Sequence, residues 1–270
     1  MSERSSGVRR VQTAILSIVT VVALGAGGYA IYSGLRRGTA SSCRVALDGT
    51  TYVLEPDQAT HATTISAVGK RMGLPDHAVT VALAAALQES NLHNLTHGDR
   101  DSLGLFQQRP SQGWGTEAQV TDPAYASEAF FTHLAKVEGW EDLAVNVAAQ
   151  EVQRSAAPDA YTKWEGEARA LAIATTGEKP AALTCRFAKA KNAEVDPDVL
   201  GAVTAESGPW DPSAEISTAR GWTLASWMVA HAQRFAFGAV TFDGQRWTPS
   251  SGKWSAFAPA RRRVEYVIDG

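Results

Sequence analysis

The sequence predicts an α+β protein in which an N-terminal transmembrane helix is followed by a mainly helical domain and a small C-terminal α+β domain. Three observations predict this organisation. Residues 11–35 form an uncharged apolar run, the middle region repeats apolar residues at helical spacing, and the last part of the chain mixes helical and strand-like patterns. We therefore divide the chain into a tail and anchor (residues 1–38), a helical domain (residues 39–185) and a small domain (residues 186–270).

Charge is unevenly distributed along the 270 residues, whose formal net charge is −3. The first 42 residues carry five arginines and one glutamate, whereas residues 43–185 carry ten basic and eighteen acidic residues. Residues 186–270 carry ten basic and nine acidic residues. Because no globular part is strongly basic, this distribution disfavours a nucleic-acid-binding protein. A single apolar run also excludes a transporter with several membrane spans.

The apolar run at residues 11–35 contains no charge over 25 positions. A helix of this length reaches about 37 Å, which exceeds a hydrocarbon core of about 30 Å. The apolar region of a signal peptide is shorter, about 7–15 residues, so an uncleaved anchor is favoured over a removed signal. Three arginines precede the run and two follow it, a small excess that favours a cytoplasmic N-terminus.

The only two cysteines of the chain, Cys43 and Cys185, bracket the acidic middle region. This placement favours one disulfide joining the ends of that region over the alternative of two unrelated buried thiols. Disulfides persist in oxidising compartments, so the pairing indicates an extracytoplasmic setting. Together with the apolar run, it predicts a single-pass protein of the cell membrane whose globular part lies outside.

The helical domain begins with alternating apolar residues around Asp48-Gly49, which predict a β-hairpin over residues 43–54. Residues 91–115 are predicted to be a loop, and Asp122-Pro123 is predicted to open a helix. Apolar residues at helical spacing predict helices over residues 58–72, 76–90, 122–134, 145–152 and 164–175.

The small domain is predicted to contain two helices, at residues 195–205 and 221–235, the second amphipathic with one apolar stripe. Residues 239–242 and 264–268 are predicted strands. Asp243-Gly244 is predicted to form a tight turn after the first of them.

The predicted helix at residues 76–90 has hardly any polar face and is therefore expected to be the buried centre of its domain. It ends in Gln88-Glu89-Ser90. A carboxylate at the end of an apolar helix is partly desolvated, and desolvation raises its pKa. A glutamate that holds its proton is what general acid catalysis at a glycosidic oxygen requires. The alternative is that Glu89 is an ordinary solvated residue at the end of its helix.

Two motifs around this helix end, Glu89-Ser90 and Gly104-Leu105-Phe106-Gln107, resemble the soluble-lytic-transglycosylase branch of the lysozyme superfamily, in its membrane-anchored actinobacterial form. The resemblance extends loosely over residues 43–185. It implies a lysozyme-like domain in which Glu89 protonates the bond between muramyl and glucosaminyl sugars of peptidoglycan. Glu89 would then activate the muramyl 6-hydroxyl, as in a lytic transglycosylase, or a water, as in a lysozyme. Neither route needs a metal or a cofactor.

The resemblance also implies a substrate groove beside the catalytic glutamate. Ser90 would orient the carboxyl group, and the loop from Gly104 to Gln107 would line the groove. Amide side chains can bond to sugar hydroxyls and N-acetyl groups, and Trp114 is predicted either to stack on a sugar or to anchor its loop. The predicted substrate-binding residues are Ser90, Asp101, Gly104, Leu105, Phe106, Gln107, Gln108, Trp114 and Gln150.

Two of the remaining site predictions carry alternatives. Asp101 is a candidate second acid that would decide the product, whereas its position in Gly98-Asp99-Arg100-Asp101 is also typical of a turn residue. The Ala-Tyr-Asn-x-Gly signature of the family is absent from residues 148–155, so Gln150 or Gln153 is predicted to support the N-acetyl group. This departure leaves open a catalytically inactive peptidoglycan-binding or scaffold protein of a cell-envelope complex. The predicted partners are peptidoglycan glycan strands and the lipid bilayer.

Three further patterns carry no catalytic prediction. His93 and His97 are four residues apart, but no glutamate follows the first, so a zinc site is disfavoured. The pair Glu206-Ser207 repeats the Glu-Ser motif without a following glycine-glutamine loop and is interpreted as coincidence. Residues 221–254 resemble a degenerate D-Ala-D-Ala-peptidase-like domain. Because such peptidases need several His and Asp ligands and this part has a single histidine, His231, the resemblance implies a non-catalytic domain.

Overall fold

The computed structural model describes residues 41–155, 158–188 and 196–269, all of which belong to one structural unit that begins at Ser41. The predicted anchor at residues 11–35 lies outside the described residues. Within the described ranges, no helix is both long and apolar enough to cross a membrane.

This part of the chain is α+β, as predicted, and its described residues form eight α-helices and two small antiparallel sheets. The helices are α1 (Pro56–Arg71), α2 (Asp76–Ser90), α3 (Glu117–Val120), α4 (Pro123–Leu134), α5 (Val145–Gln153), α6 (Glu165–Thr175), α7 (Val199–Ser207) and α8 (Thr218–Ala230). The strands are β1 (Ser42–Leu47), β2 (Thr50–Leu54), β3 (Leu183–Arg186), β4 (Phe237–Phe242), β5 (Gln245–Thr248), β6 (Lys253–Ala256) and β7 (Glu265–Ile268). The strand orders are β2-β1-β3 and β6-β5-β4-β7.

The first sheet contains the predicted hairpin and the predicted disulfide. β1 and β2 pair through a turn at Asp48 and Gly49, whose φ angles are 48° and 80°. β3 pairs with the other side of β1, so that Cys43 lies directly opposite Cys185. The two cysteines form a disulfide, which confirms the predicted pairing. Both are fully buried, so the bond joins the ends of the middle region within the core.

The predicted central helix is α2, which runs from Asp76 to Ser90. Every residue from Ala78 to Leu87 is buried, because α1, α4, α5 and α6 pack around this helix. It ends at Asn91, whose left-handed conformation (φ 53°) suits asparagine better than most residues. The helix therefore carries the chain from the centre of the core directly to Glu89.

The residues after the disulfide share one hydrophobic core with the middle region. The predicted amphipathic helix at residues 221–235 is α8, and all of its residues from Gly221 to Ala230 are buried. The expectation of a single apolar stripe is wrong because α8 packs against α1 as well as against β3 and β4. Trp222 and Trp227 are fully buried on this helix, so they serve the core.

Glu206 lies in the same core. Its Oε2 accepts hydrogen bonds from Thr64 Oγ1 (2.6 Å) and Trp227 Nε1 (2.7 Å), and His231 Nε2 lies 3.9 Å away. These contacts tie α7 to α1 and α8. Glu206 thus links helices within the core, which agrees with the interpretation of the pair Glu206-Ser207 as a coincidental repeat of the Glu-Ser motif.

His231 makes the stability of this core sensitive to acid. Its buried ring stacks on Trp227 with centroids 4.0 Å apart, and its Nδ1 donates to the Trp227 carbonyl over 2.9 Å. Burial lowers the pKa of His231 below its ordinary 6.5, although Glu206 opposes the shift. Because the unfolded histidine takes up a proton more readily, the free energy of unfolding should decrease as the pH falls below 6.5. The expected slope is at most about 1.4 kcal/mol per pH unit for this group.

Urea denaturation followed by circular dichroism across this pH range measures the effect. The His231→Gln variant should show a shallower pH dependence than the wild type. His61, whose pKa burial also lowers, should supply part of the slope that remains. An unchanged slope in the variant would show that His231 does not couple protonation to unfolding.

Candidate active site

Glu89 lies in the last turn of α2 with its side chain partly buried. The hydroxyl of Tyr161 donates a hydrogen bond to Glu89 Oε1 over 2.6 Å. Burial raises the pKa of Glu89, and the Tyr161 hydrogen bond, which favours the ionised carboxylate, partly opposes that shift. Among the described residues, no arginine or lysine forms a salt bridge with Glu89. Glu89 therefore keeps its proton to a higher pH than an exposed glutamate does.

Tyr161 is positioned by the 3₁₀ helix Pro158–Trp164, which packs against α2 and α5. Its side chain is fully buried. Trp164 Nε1 donates to Gln88 Oε1 over 3.0 Å, so the same short helix is also fixed to the residue before Glu89. Burial and the negative charge of Glu89 both raise the pKa of Tyr161. The tyrosine therefore remains protonated and acts as a hydrogen-bond donor.

Sequence reasoning missed Tyr161, whose hydroxyl contacts the Glu89 carboxylate. The resemblance places the family's tyrosine within residues 148–155, which contain none, so Gln150 or Gln153 is the predicted substitute. The tyrosine that contacts Glu89 comes later in the chain. It follows Ala160 and precedes Thr162. The Ala-Tyr dipeptide in the connection between α5 and α6 is the signal that would have located it.

Ser90 connects Glu89 to the neighbouring loop without contacting its carboxylate. The Ser90 hydroxyl donates to the carbonyl oxygens of Leu105 (2.7 Å) and of Ala86 (3.1 Å). The side chain is buried. Ser90 thus positions the loop beside Glu89, where the sequence analysis expected it to orient the carboxyl group directly.

Gly104 shapes the loop that begins the predicted groove wall. Its φ is +77°, and a Cβ at this position would lie 2.1 Å from the carbonyl oxygen of Val120, so only glycine fits. Two isolated bridges, Leu95 with Gly104 and Leu103 with Gln108, close the loop on itself. The loop is therefore a fixed structure that follows the end of α2.

The side chains of the loop divide between the core and the surface. Leu105 and Phe106 are buried, and Phe106 stacks on Phe130 with ring centroids 4.8 Å apart. Gln108 is also buried, and its Nε2 donates to the Ala126 carbonyl over 3.0 Å. These three side chains hold the loop in place and do not face a ligand. Gln107 is partly exposed, so its side chain is the one in this group that can reach a bound sugar.

Asp101 is an ionised anchor within the loop. Its Oδ1 accepts from Arg109 Nε and its Oδ2 accepts from the Ser111 backbone N–H, each over 2.8 Å. The hydrogen bonds to Ser111 and Arg109 hold the pKa of Asp101 well below its usual range. Asp101 therefore carries no proton at neutral pH, which suits the turn-residue alternative and not a second general acid.

Trp114 lines a groove of about 460 Å³ between the loop and the ends of α4 and α5. Its ring packs on His133, with centroids 4.0 Å apart and an interplanar angle of 31°. Gln153 also lines this groove, and its Nε2 donates to the Phe106 carbonyl over 2.9 Å. The groove wall is thereby tied to the loop that Ser90 holds.

Gln150 lies in the last turn of α5. Its Nε2 donates to the Ser155 carbonyl over 2.8 Å, and its buried Oε1 has no hydrogen-bond partner among the described residues. This hydrogen bond ties the last turn of α5 to Ser155. Gln150 could support an N-acetyl group only if a ligand reached its buried Oε1.

Comparison with models of known protein families and with curated protein sequences finds no match. Within the described residues, no group of three or more His, Cys, Asp or Glu side chains is arranged to hold a metal ion.

Proposed function

We propose that the chain is a membrane-anchored peptidoglycan glycosidase that cleaves the muramyl–glucosaminyl bond with Glu89 as its single acid/base. The observation that carries the proposal is the 2.6 Å hydrogen bond from Tyr161 to a partly buried carboxylate that no described cation neutralises. The disulfide supports an extracytoplasmic location, where glycan strands are found.

The protonated Glu89 starts the reaction by donating its proton to the glycosidic oxygen, which leaves with the glucosaminyl sugar. Tyr161 occupies Oε1, so Oε2 is the atom that holds the transferred proton. Once the proton has left, the carboxylate is negatively charged and the Tyr161 hydrogen bond becomes stronger. The stronger hydrogen bond stabilises the state that follows proton transfer, in which positive charge develops at the muramyl C1.

The same carboxylate then acts as the base. It removes a proton from the muramyl 6-hydroxyl, whose oxygen bonds to C1 and closes an anhydro ring, and Glu89 returns to its protonated form. Hydrolysis would follow the same course with a water as the nucleophile. The state of Asp101 favours the lytic route, because Asp101 is held by Arg109 and Ser111 and the intramolecular nucleophile needs no second carboxylate.

A catalytically inactive peptidoglycan-binding or scaffold protein is the second candidate. It is favoured by Thr162, which follows Tyr161 in place of the asparagine of the family signature. In this case the groove beside Trp114 would hold a glycan strand without cleaving it.

Incubation of the full chain with purified peptidoglycan in ¹⁸O-labelled water distinguishes these functions. Mass spectrometry should find released muropeptides with anhydro ends and no ¹⁸O. Incorporation of ¹⁸O at the muramyl C1 would indicate the hydrolytic route instead. Sedimentation of the protein with the peptidoglycan, without any released muropeptide, would overturn the glycosidase proposal and support the binding protein.

A further inference from the structure

The chain leaves α2 through two successive residues with left-handed backbone conformations. Asn91 has a φ of 53° and Leu92 has a φ of 60°. Asparagine adopts this conformation readily, whereas leucine rarely does, because its Cβ crowds the backbone there. Leu92 is nevertheless fully buried in the core. Backbone strain of this kind persists only where the surrounding contacts impose it, and such positions are frequent at functional sites.

The N–H groups of this turn bond back to α2. The Asn91 N–H donates to the carbonyl oxygens of Ala86 and Leu87. The Leu92 N–H donates to the Ala86 carbonyl over 3.2 Å. These bonds end the helix, but they use only the donors of the turn. Contacts that fix its two carbonyl groups therefore also fix the end of α2.

Helix α1 supplies a donor for each of these carbonyl groups. Gln58 Nε2 donates to the Asn91 carbonyl over 2.9 Å. His61 Nδ1 donates to the Leu92 carbonyl over 2.7 Å. A carbonyl oxygen can only accept, so Nδ1 carries the ring proton. The two donors are three residues apart and therefore lie on one face of α1, where they bind the strained turn as a pair.

Gln58 is itself held in place. Its side chain is buried, and its Oε1 accepts from the Glu55 backbone N–H over 2.8 Å at the start of α1. Both ends of the amide are thus in use, one within α1 and the other on the turn. The amide therefore connects the first turn of α1 rigidly to the end of α2.

The turn lies between the two parts of the candidate active site. Glu89 comes two residues before Asn91 in the chain. On the other side of the turn, the Leu95 carbonyl accepts from the Gly104 N–H over 2.8 Å and so joins the loop beside Glu89. A shift of the turn would therefore displace the last turn of α2 relative to that loop.

We propose that Gln58 and His61 are positioning residues for the Glu89 carboxyl. They hold the turn after α2 in its left-handed conformation, which keeps the carboxyl partly buried and bonded to the Tyr161 hydroxyl. Without one of these donors, the turn can relax to a conformation that leucine prefers, and the last turn of α2 loosens and admits water. Misplacement of a reacting group by about 1 Å is enough to slow a reaction strongly. The inference rests on the proposed function, because it assigns a role to residues that support Glu89.

Two substitutions of His61 test this role in the full chain, solubilised in mild detergent, with soluble glycan strands as the substrate. His61→Phe keeps a ring but has no donor, so kcat should fall by about 10–100-fold while KM stays near that of the wild type. His61→Asn places an amide N–H near the position of Nδ1 and should recover most of the rate. Equal losses in the two variants, or no loss in His61→Phe, would overturn the role of the Nδ1 donor.

Thr60→Val is the matched control on the same helix. Thr60 Oγ1 donates to the Ala230 carbonyl of α8 over 3.2 Å, so this substitution also removes one hydrogen bond from α1 to a backbone carbonyl. It should keep the kcat and KM of the wild type. Gln58→Met removes the other donor and should show the same split as His61→Phe, including when His61→Phe does not fold. An equal loss of rate in Thr60→Val would show that α1 acts through general stability and would overturn the proposal.

Carbon-13 titration of the Glu89 carboxyl tests the positioning without turnover. Burial is the main cause that raises the pKa of Glu89, so entry of water in His61→Phe should lower this pKa towards 4.5. Tyr161, the titratable group bonded to Glu89, is retained in the variant. Loss of a positive charge on His61 would instead raise the pKa of Glu89, so the sign of the shift separates the two effects.

The titration also separates a failure of this inference from a failure of the proposed function. If Glu89 titrates in His61→Phe as it does in the wild type, the positioning role is overturned. If the wild type releases no muropeptide, the proposed function is overturned, and the titration still decides whether α1 positions the carboxyl.

Discussion

Replacing Glu89 with glutamine should reduce muropeptide release by about 100-fold or more, the usual contribution of a general acid. Glutamine keeps the size of the side chain and can still accept the Tyr161 hydrogen bond, so the fold should be unaffected. It has no proton to give to the glycosidic oxygen and cannot act as the base afterwards. The rate of release from purified peptidoglycan, followed by mass spectrometry, measures the effect.

Glu167 provides a matched control for this substitution. It lies in the first turn of α6, is partly buried, and has a pKa that burial raises, as Glu89 does. Glu167→Gln should release muropeptides at the rate of the wild type. If both variants were equally active, Glu89 would not be the acid, and the catalytic group would have to be sought elsewhere.

Replacing Tyr161 with phenylalanine should lower the rate by about 10–100-fold, the range expected for a hydrogen bond to a charged group. The Tyr161 hydrogen bond favours the ionised form of Glu89, so its removal should raise the pKa of that carboxyl further. The active acid is the protonated form, and the variant should keep it to higher pH. The alkaline limb of its pH profile should therefore move to higher pH even though its maximal rate falls.

The pH profile separates an effect of Tyr161 on the pKa of Glu89 from a purely structural effect. Loss of packing would lower the rate at every pH and leave the alkaline limb in place. An alkaline limb at lower pH would mean that Tyr161 raises the pKa of Glu89 and does not lower it. Tyr52→Phe serves as the control, because Tyr52 is a partly buried tyrosine on β2 and Glu89 accepts its tyrosine hydrogen bond from Tyr161. That variant should keep both the rate and the profile of the wild type.

Much of the fold could be predicted because it follows local rules. The apolar surface of residues 76–90 predicted a buried helix, and α2 has those bounds. Asp122 accepts from the Tyr125 backbone N–H as the N-cap of α4, which is the role that Asp-Pro predicts. The prediction of one stripe on α8 was wrong, because the polar residues between Gly221 and Ala230, Thr223 and Ser226, are small and buried. Ser226 donates to the Ala174 carbonyl.

The site was less predictable because its contacts span long stretches of chain. Glu89 and Tyr161 are 72 residues apart, and their hydrogen bond depends on how the 3₁₀ helix Pro158–Trp164 docks on α2. Likewise, nothing in the sequence distinguishes Gln107, which is partly exposed, from Gln108, which is buried against Ala126. Residue type indicated the chemistry, and tertiary packing decided which side chains are available for it.

The proposed reaction depends on one carboxyl group that keeps its proton because it is desolvated and that uses the proton to break a glycosidic bond. Carbon-13 titration of the Glu89 carboxyl, assigned with the Glu89→Gln variant, measures its pKa directly, and muropeptide release by the same sample gives the pH profile. We expect the carboxyl to titrate above its ordinary 4.5 and the alkaline limb of the profile to coincide with that titration. A carboxyl that titrates at or below 4.5, or a limb that follows a different group, would contradict the account.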